Sequence, residues 1–333
     1  MDIYHQILLQ YWGYAEFRPL QEEIIRSVCA GKDTLGLMPT GGGKSITFQV
    51  PTLTMDGICI VVTPLIALMK DQVDNLKRVG IKATAIHSGM SREEMIVQLE
   101  NCIFGDYKFL YVSPERLGTE LFQNKLRAMN VCLLAIDESH CISQWGYDFR
   151  PSYLKVADIR ALLPGVPVLA LTATATPEVV DDIQERLLFK EKNVFKKSFS
   201  RPNLAYIVRK TEDKLSELVH ILQRVPGTAI VYVRNRKMTA EIAAHLKSVG
   251  ISAEYFHAGL LPDEKIERQN RWKNGETRVI VSTNAFGMGI DKPDVRLVVH
   301  LNMPGSLEEY YQEAGRAGRD EKKAYAVYLC GPA

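Results

Sequence analysis

Three short stretches of this chain have the residue types and spacing for phosphate chemistry. Thr40-Gly41-Gly42-Gly43-Lys44-Ser45 follows one apolar run, Asp137-Glu138-Ser139-His140 follows another, and Gly315-Arg316-Ala317-Gly318-Arg319 stands near the C-terminus. Glycines let a chain turn tightly and aim backbone N–H groups inward, and a following helix N-terminus adds partial positive charge. Thr40, Gly41, Gly42 and Gly43 thus read as a shortened phosphate loop, with Lys44 placed to reach outer phosphates and Ser45 to ligate magnesium. Asp137 can hold the same ion, and Glu138 beside it can polarise an attacking water. Arg316 and Arg319 fall on one face of an expected helix, with Gln312 a turn earlier, and can neutralise charge in a phosphoryl-transfer transition state. The glycines weaken that helix, and close approach to phosphates would account for them. Upstream, Tyr14, Phe17, Arg18 and Gln21 are candidates for the base. A carboxamide meets donor and acceptor positions of adenine, and a ring or guanidinium stacks on it. Tyr14 and Phe17 suit an aromatic cap on the core equally well. His140 could link this site to Thr172-Ala173-Thr174.

These groups need a scaffold that brings distant segments together. Near-continuous apolar runs at 34–38, 58–62, 109–112, 131–136 and 168–171 alternate with amphipathic stretches such as 65–79. That pattern predicts an α/β unit with a mostly parallel sheet covered by helices on both faces. Ligands in such folds sit beyond the C-terminal strand ends, where these motifs fall. The alternation pauses in the polar, basic segment 190–203 and then resumes. Strands are expected at 229–233, 253–256, 278–282 and 297–300, with helices over 236–248, 262–274 and 306–314. The expected division is 1–200 and 201–333, with one nucleotide site in a cleft between two α/β domains.

Composition agrees and excludes other classes. A chain of 333 residues suffices for two domains, and 46% hydrophobic with 24% charged residues is an ordinary globular balance. The net charge of +2 does not announce a nucleic-acid partner, so any DNA-binding surface must be a local patch or lined cleft. The six Cys lack zinc-ligand spacing, which predicts free thiols, no zinc site and a reducing cytosol. Neither a signal-peptide pattern at the start nor an apolar stretch of membrane-spanning length is visible. The closing residues 331–333 read as the edge of a folded unit.

The ordered set of motifs resembles the catalytic core of RecQ-family DNA helicases, within helicase superfamily 2. The resemblance runs through Phe17-Arg18-Pro19-Leu20-Gln21, residues 38–45, residues 63–72, Ser113-Pro114-Glu115-Arg116-Leu117, residues 171–175, residues 282–291 and residues 312–320. It implies two tandem RecA-like domains, an interdomain nucleotide cleft and ATP-driven 3′ to 5′ movement on single-stranded DNA. It makes Tyr14, Arg18 and Gln21 adenine contacts, Lys44 and Ser45 phosphate and magnesium contacts, Asp137 and Glu138 the hydrolytic pair, and Arg316 and Arg319 arginine fingers. Gly289 and Asp291 would shape the second domain's approach to nucleotide. The segment 141–151 is similar to the aromatic-rich loop that couples DNA binding to ATPase activity in this family. Read physically, Trp145, Tyr147 and Phe149 alternate with polar residues including Gln144 and can stack on splayed bases, while Arg150 contacts phosphate or transmits the signal. A packed aromatic cluster is the competing reading. Tyr147 stands where the family usually has His, so coupling should lean on Trp145, Phe149 and Arg150, and Ser139 replaces the commoner Ala.

Hydroxyls, amides and cations suited to phosphate contact also follow strand ends: Thr63, Pro64, Gln72 and Arg116 in the first half, and Arg234, Asn235, His257, Ser282, Thr283 and Asn284 in the second. The expected partners are single-stranded and tailed or branched duplex DNA, with recombination or single-strand-binding proteins. The expected setting is recombination and repair in a bacterial cytoplasm. An RNA-dependent ATPase or a non-enzymatic nucleotide-switched module are the alternatives.

Overall fold

The computed structural model describes residues 2–39, 42–146, 148–173, 175–196, 200–286 and 292–331. Thr40, Gly41, Tyr147, Gly289 and Asp291 lie outside the described residues. The chain divides into two compact units, Met1–Ser198 and Phe199–Ala333.

The first unit is built on seven strands: β1 (Thr34–Leu37), β2 (Ile58–Val62), β3 (Ala83–Ile86), β4 (Phe109–Val112), β5 (Val131–Ile136), β6 (Val168–Thr172) and β7 (Val194–Lys196). Their order is β3-β4-β2-β5-β6-β1-β7, and every pairing is parallel. Residues of β1, β2, β4 and β6 are buried throughout, which explains why these strands read as unbroken apolar runs rather than as alternation. Helices cover the sheet, and Ile24, Phe48, Met69, Leu133 and Leu169 belong to one core cluster. The helix Arg92–Phe104 begins in a capping box, Ser91 with Glu94.

The second unit holds β8 (Leu204–Lys210), β9 (Thr228–Tyr232), β10 (Ala253–Phe256), β11 (Val279–Ser282), β12 (Val295–His300) and β13 (Ala324–Cys330). The order is β10-β11-β9-β12-β13-β8, again wholly parallel. Leu218, Val231, Leu246, Val281, Val299 and Val327 fill one side of the sheet. On the other, Trp272 is fully buried and its Nε1 donates to Ala229 O at 3.2 Å. Both units are therefore parallel sheets flanked by helices, in keeping with tandem RecA-like domains.

Two local expectations change. The basic pause at 190–203 contains β7, which pairs with β1 at the sheet edge; its exposed faces hid it. The helix Leu307–Ala314 stops at Gly315, so Arg316 and Arg319 occupy a run of turns after it rather than a helix face. The glycines there have an internal reason. Gly318 has φ +64, and a Cβ on it would stand 2.7 Å from Asn203 Nδ2 and 2.9 Å from Ala324 Cβ.

Candidate nucleotide and nucleic-acid site

Neighbouring strands β5, β6 and β1 deliver Asp137 and Glu138, Thr172, and the phosphate loop to one edge of the first sheet. Adjacent strands lie about 4.8 Å apart, so side chains distant in sequence can touch there. Lys44 Nζ stands 3.7 Å from Glu138 Oε1, and Glu138 Oε2 stands 3.4 Å from His140 Nδ1. The same Nδ1 is 2.8 Å from Thr172 Oγ1, which is the link anticipated between His140 and the next strand end. Glu138 adopts φ 49, a left-handed conformation that a non-glycine residue enters only at some cost and that turns its carboxylate toward Lys44 and His140.

Asp137 is anchored from behind. Its N–H donates to Val62 O at 2.9 Å, and the Tyr153 hydroxyl donates to its carbonyl at 2.9 Å. Burial pushes its carboxyl up to about 6, with Lys44 opposing and the Glu138 charge adding. Burial likewise holds His140 below its ordinary value, so its imidazole is neutral at pH 7, and pushes the Cys141 thiol well up. Ser45 precedes the helix Ile46–Thr54 and makes no side-chain cap hydrogen bond. The half-buried Asp137 carboxylate and the Ser45 hydroxyl are hard oxygen donors of the kind magnesium takes.

The Gln21 carboxamide closes the phosphate loop. Its Oε1 accepts from Arg18 N at 2.9 Å, and its Nε2 donates to Gly42 O at 3.3 Å and Gly43 O at 3.0 Å. Gly43 has φ +72, and a Cβ there would fall 2.3 Å from Gln21 Nε2. The expected adenine contact is thus engaged with the loop itself, a role that sequence spacing did not suggest. Arg18 and Tyr14 are exposed, whereas Phe17 is half-buried edge-on to His5.

Directly after the acidic pair comes the aromatic segment. Trp145 is 77% exposed, which disfavours a packed aromatic cluster at this position. Gln144 is exposed and Phe149 half-buried. Arg150 donates to Asp148 Oδ2 through Nε at 3.1 Å and Nη2 at 2.9 Å. A Cβ on Gly146 would lie 2.6 Å from His140 O, so the segment folds tightly back on its own start.

Other strand-end candidates differ in what they present. Thr63 is buried and its Oγ1 has no hydrogen-bond partner among the described residues; Pro64 is half-buried. Gln72 Oε1 accepts from Gln49 Nε2 at 3.1 Å. Arg116 holds the carbonyls of His87, Ser88 and Met90, each at 3.1 Å, and so clamps the loop after β3.

In the second unit, β10, β11, β9 and β12 are consecutive neighbours, which lines up His257, Ser282 to Asn284, Arg234 with Asn235, and His300 to Asn302 along one edge. Arg234, Asn235 and Asn284 are exposed, and Thr283 and His257 are half-buried. Asn235 instead caps its helix, accepting from Met238 N at 2.8 Å, and Ser282 is buried with its Oγ 2.9 Å from Phe256 O. Burial, with the charges of Arg236 and Arg268, keeps His257 below its ordinary pKa. A cavity of 180 Å³ opens between Arg234, Asn284, Asn302 and Glu309, with Tyr232, His300 and Glu313 among its lining. His300 Nε2 lies 2.7 Å from Glu313 Oε2, and its ring stacks on Tyr232 with centroids 5.1 Å apart. This buried His–Glu pair was not apparent as a pair, because its members lie on different elements. Arg316 is buried beside Tyr232, and its Nε has no hydrogen-bond partner among the described residues. Arg319 and Gln312 are half-buried.

Among the described residues no helix is long and apolar enough to cross a membrane. Residues 18–183 match the family model for DEAD/DEAH box helicases, and residues 212–321 match that for the helicase conserved C-terminal domain. The chain is 42% identical over 332 residues to a probable ATP-dependent DNA helicase RecS of Bacillus subtilis, covering 98% of this chain and 66% of that protein. It is 46% identical over 331 residues to the ATP-dependent DNA helicase RecQ of the same organism, covering 98% and 56%. It spans about half to two thirds of the length of such curated relatives. Among solved structures, S. cerevisiae Dbp5 bound to RNA and ADP BeF3 superposes with a TM-score of 0.76 at 18% identity, covering 100% of this chain and 88% of that one, a likeness of fold.

Proposed function

The chain is a superfamily-2 helicase core closely related to the RecQ-family ATP-dependent DNA helicases, and on that premise we propose that it hydrolyses ATP under stimulation by single-stranded DNA and moves along that strand 3′ to 5′. The carrying observation is the continuity of the first unit's site: the Lys44–Glu138–His140 chain passes directly into a segment that carries an exposed Trp145. The names of the Bacillus subtilis relatives favour DNA over RNA.

Lys44 exchanges its contact with Glu138 for the outer phosphates, which frees the Glu138 carboxylate to accept a proton from the attacking water. His140, neutral and fixed by Thr172, orients that carboxylate without cancelling its charge. Asp137 and Ser45 would hold magnesium, whose charge offsets that of the phosphates when it is bound. Arg316 and Arg319 serve as arginine fingers when the second domain closes on the nucleotide, with residues 1–200 and 201–333 as the two moving parts. Trp145 and Phe149 stack on bases, and Arg150 carries the change back toward Glu138. A role in recombination or repair on tailed or branched DNA follows from the same relationship.

The test is ATP turnover with no nucleic acid, with single-stranded DNA and with RNA, beside unwinding of a 3′-tailed duplex. DNA stimulation with 3′-dependent unwinding is expected. Stimulation by RNA alone, or turnover indifferent to DNA, would overturn the reading.

A further inference from the structure

His140, Cys141 and Asp148 each offer a ligand atom, and these atoms all lie within 4.8 Å of one another. Cys141 Sγ stands 3.7 Å from His140 Nε2 and 3.7 Å from Asp148 Oδ2. In a tetrahedral zinc centre, Zn–S and Zn–N bond lengths set a sulfur–nitrogen edge of about 3.5 Å, so these atoms already stand near the separation a metal imposes. The outer contacts fit as well. His140 Nδ1 is held by Thr172 Oγ1 at 2.8 Å and faces Glu138 Oε2 at 3.4 Å, an arrangement that turns Nε2 toward the cluster. Arg150 fixes the Asp148 carboxylate by placing two of its N–H donors on Oδ2, the oxygen that also faces Cys141 Sγ, so a metal ion shares or displaces the guanidinium there. Sequence spacing hides the group, because two ligands are adjacent and the third returns only after the aromatic segment has folded back at Gly146.

We propose that His140, Cys141 and Asp148 form an inhibitory binding site for a zinc-type divalent ion. Sulfur, imidazole and one carboxylate select a zinc-type ion over magnesium, and three protein ligands leave a fourth position for water, which suits an exchangeable ion. As the metal–Sγ bond forms, the thiol proton passes to solvent. The bound ion ties the turn after Glu138 to the far end of the aromatic segment and holds Trp145 fixed relative to the nucleotide site. Binding is independent of the proposed function; inhibition rests on that function's coupling role for the segment.

Cobalt(II), titrated into metal-free protein, is the probe. One equivalent should produce a thiolate-to-cobalt charge-transfer band that is abolished in Cys141→Ser. Asp148→Asn should weaken binding by about tenfold or more. Zinc should lower DNA-stimulated turnover of the wild type, reversibly with a chelator, while Cys141→Ser, normalised to its own metal-free rate, resists. No band, or a band undiminished in Cys141→Ser, overturns the site. A Cys141-dependent band with unaltered DNA stimulation overturns the inhibitory role. Metal-free wild type that shows no DNA stimulation at all would instead contradict the proposed function, and the cobalt band then decides the site alone.

Discussion

In the first unit the charged groups beyond the strand ends already face one another. Lys44 Nζ lies 3.7 Å from Glu138 Oε1, and Glu138 Oε2 faces His140. In the second unit Arg316 is buried beside Tyr232 with its Nε unpartnered among the described residues, while the nearby Glu313 carboxylate is paired with His300 at 2.7 Å. Both units are parallel sheets flanked by helices, so fold class alone does not explain the difference. An existing contact must be exchanged before phosphates can take Lys44. Arg316 already has a side-chain hydrogen bond to Tyr232, and its buried Nε is the position that can gain a further one from an arriving anion. On the proposed function, the first unit holds nucleotide and the second responds to it.

The contrast is most easily broken at Lys44. Lys44→Ala should bring ATP turnover to background, a loss of at least about 100-fold. Thermal stability should change by less than about 1 kcal/mol, because a part-exposed pair at 3.7 Å contributes little. Steady-state hydrolysis and a melting curve on the same preparation check both, and substantial remaining turnover would remove Lys44 from the site.

Trp145→Ala probes where the first unit receives its signal. The ratio of DNA-stimulated to DNA-free turnover should fall by about tenfold, the worth of one stacked base. An unchanged ratio would separate the exposed aromatic from coupling.

Asp137 gives a pH dependence of known sign. Its carboxyl is raised from 3.8 to about 6. As pH falls through 6 a proton competes with the cation, so the magnesium concentration giving half-maximal turnover should rise roughly fourfold from pH 7 to pH 5.5. In ion-free protein the folded state binds this proton more tightly than the unfolded chain. Its contribution to stability therefore grows as pH falls from about 6 toward 4, opposite to a salt-bridged carboxylate. A magnesium requirement that ignores pH would contradict the assignment.

The smallest effect sharpens the loop. Gly43 and Gly80 both have positive φ, but a Cβ meets Gln21 Nε2 at 2.3 Å at the former and open space at the latter. Each Ala substitution should cost about 1 kcal/mol or more in backbone strain. Only Gly43→Ala should also weaken ATP binding. Equal ATP affinity in the two variants would dissociate the Gln21 clamp from nucleotide binding.

Much of the architecture was readable from the sequence because strands buried on both faces carry unbroken apolar runs: β2, β4 and β5 fall where those runs predict, and β10, an edge strand that includes Glu254, also falls where expected. The edge strands β3, β7 and β8 were not apparent. Alternating burial and exposure along Leu204–Lys210 interrupts the apolar run, and β7 has only three residues. Among site residues, side chains that follow central strands were identifiable by type and position. What those side chains do within the fold was not, since it depends on neighbours from other elements. Arg116 clamps three carbonyls, Gln21 closes the phosphate loop, and His300 pairs with Glu313 across elements. Gly315 ends the helix one residue before Arg316, a boundary that helical periodicity alone could not fix.

The division between holding and responding is tested most directly by measuring ATP affinity and DNA-stimulated turnover on one preparation of Arg316→Ala. Turnover should fall about 1,000-fold while affinity stays within about threefold of the wild type. Turnover at the wild-type rate, or affinity lost in step with turnover, would contradict it.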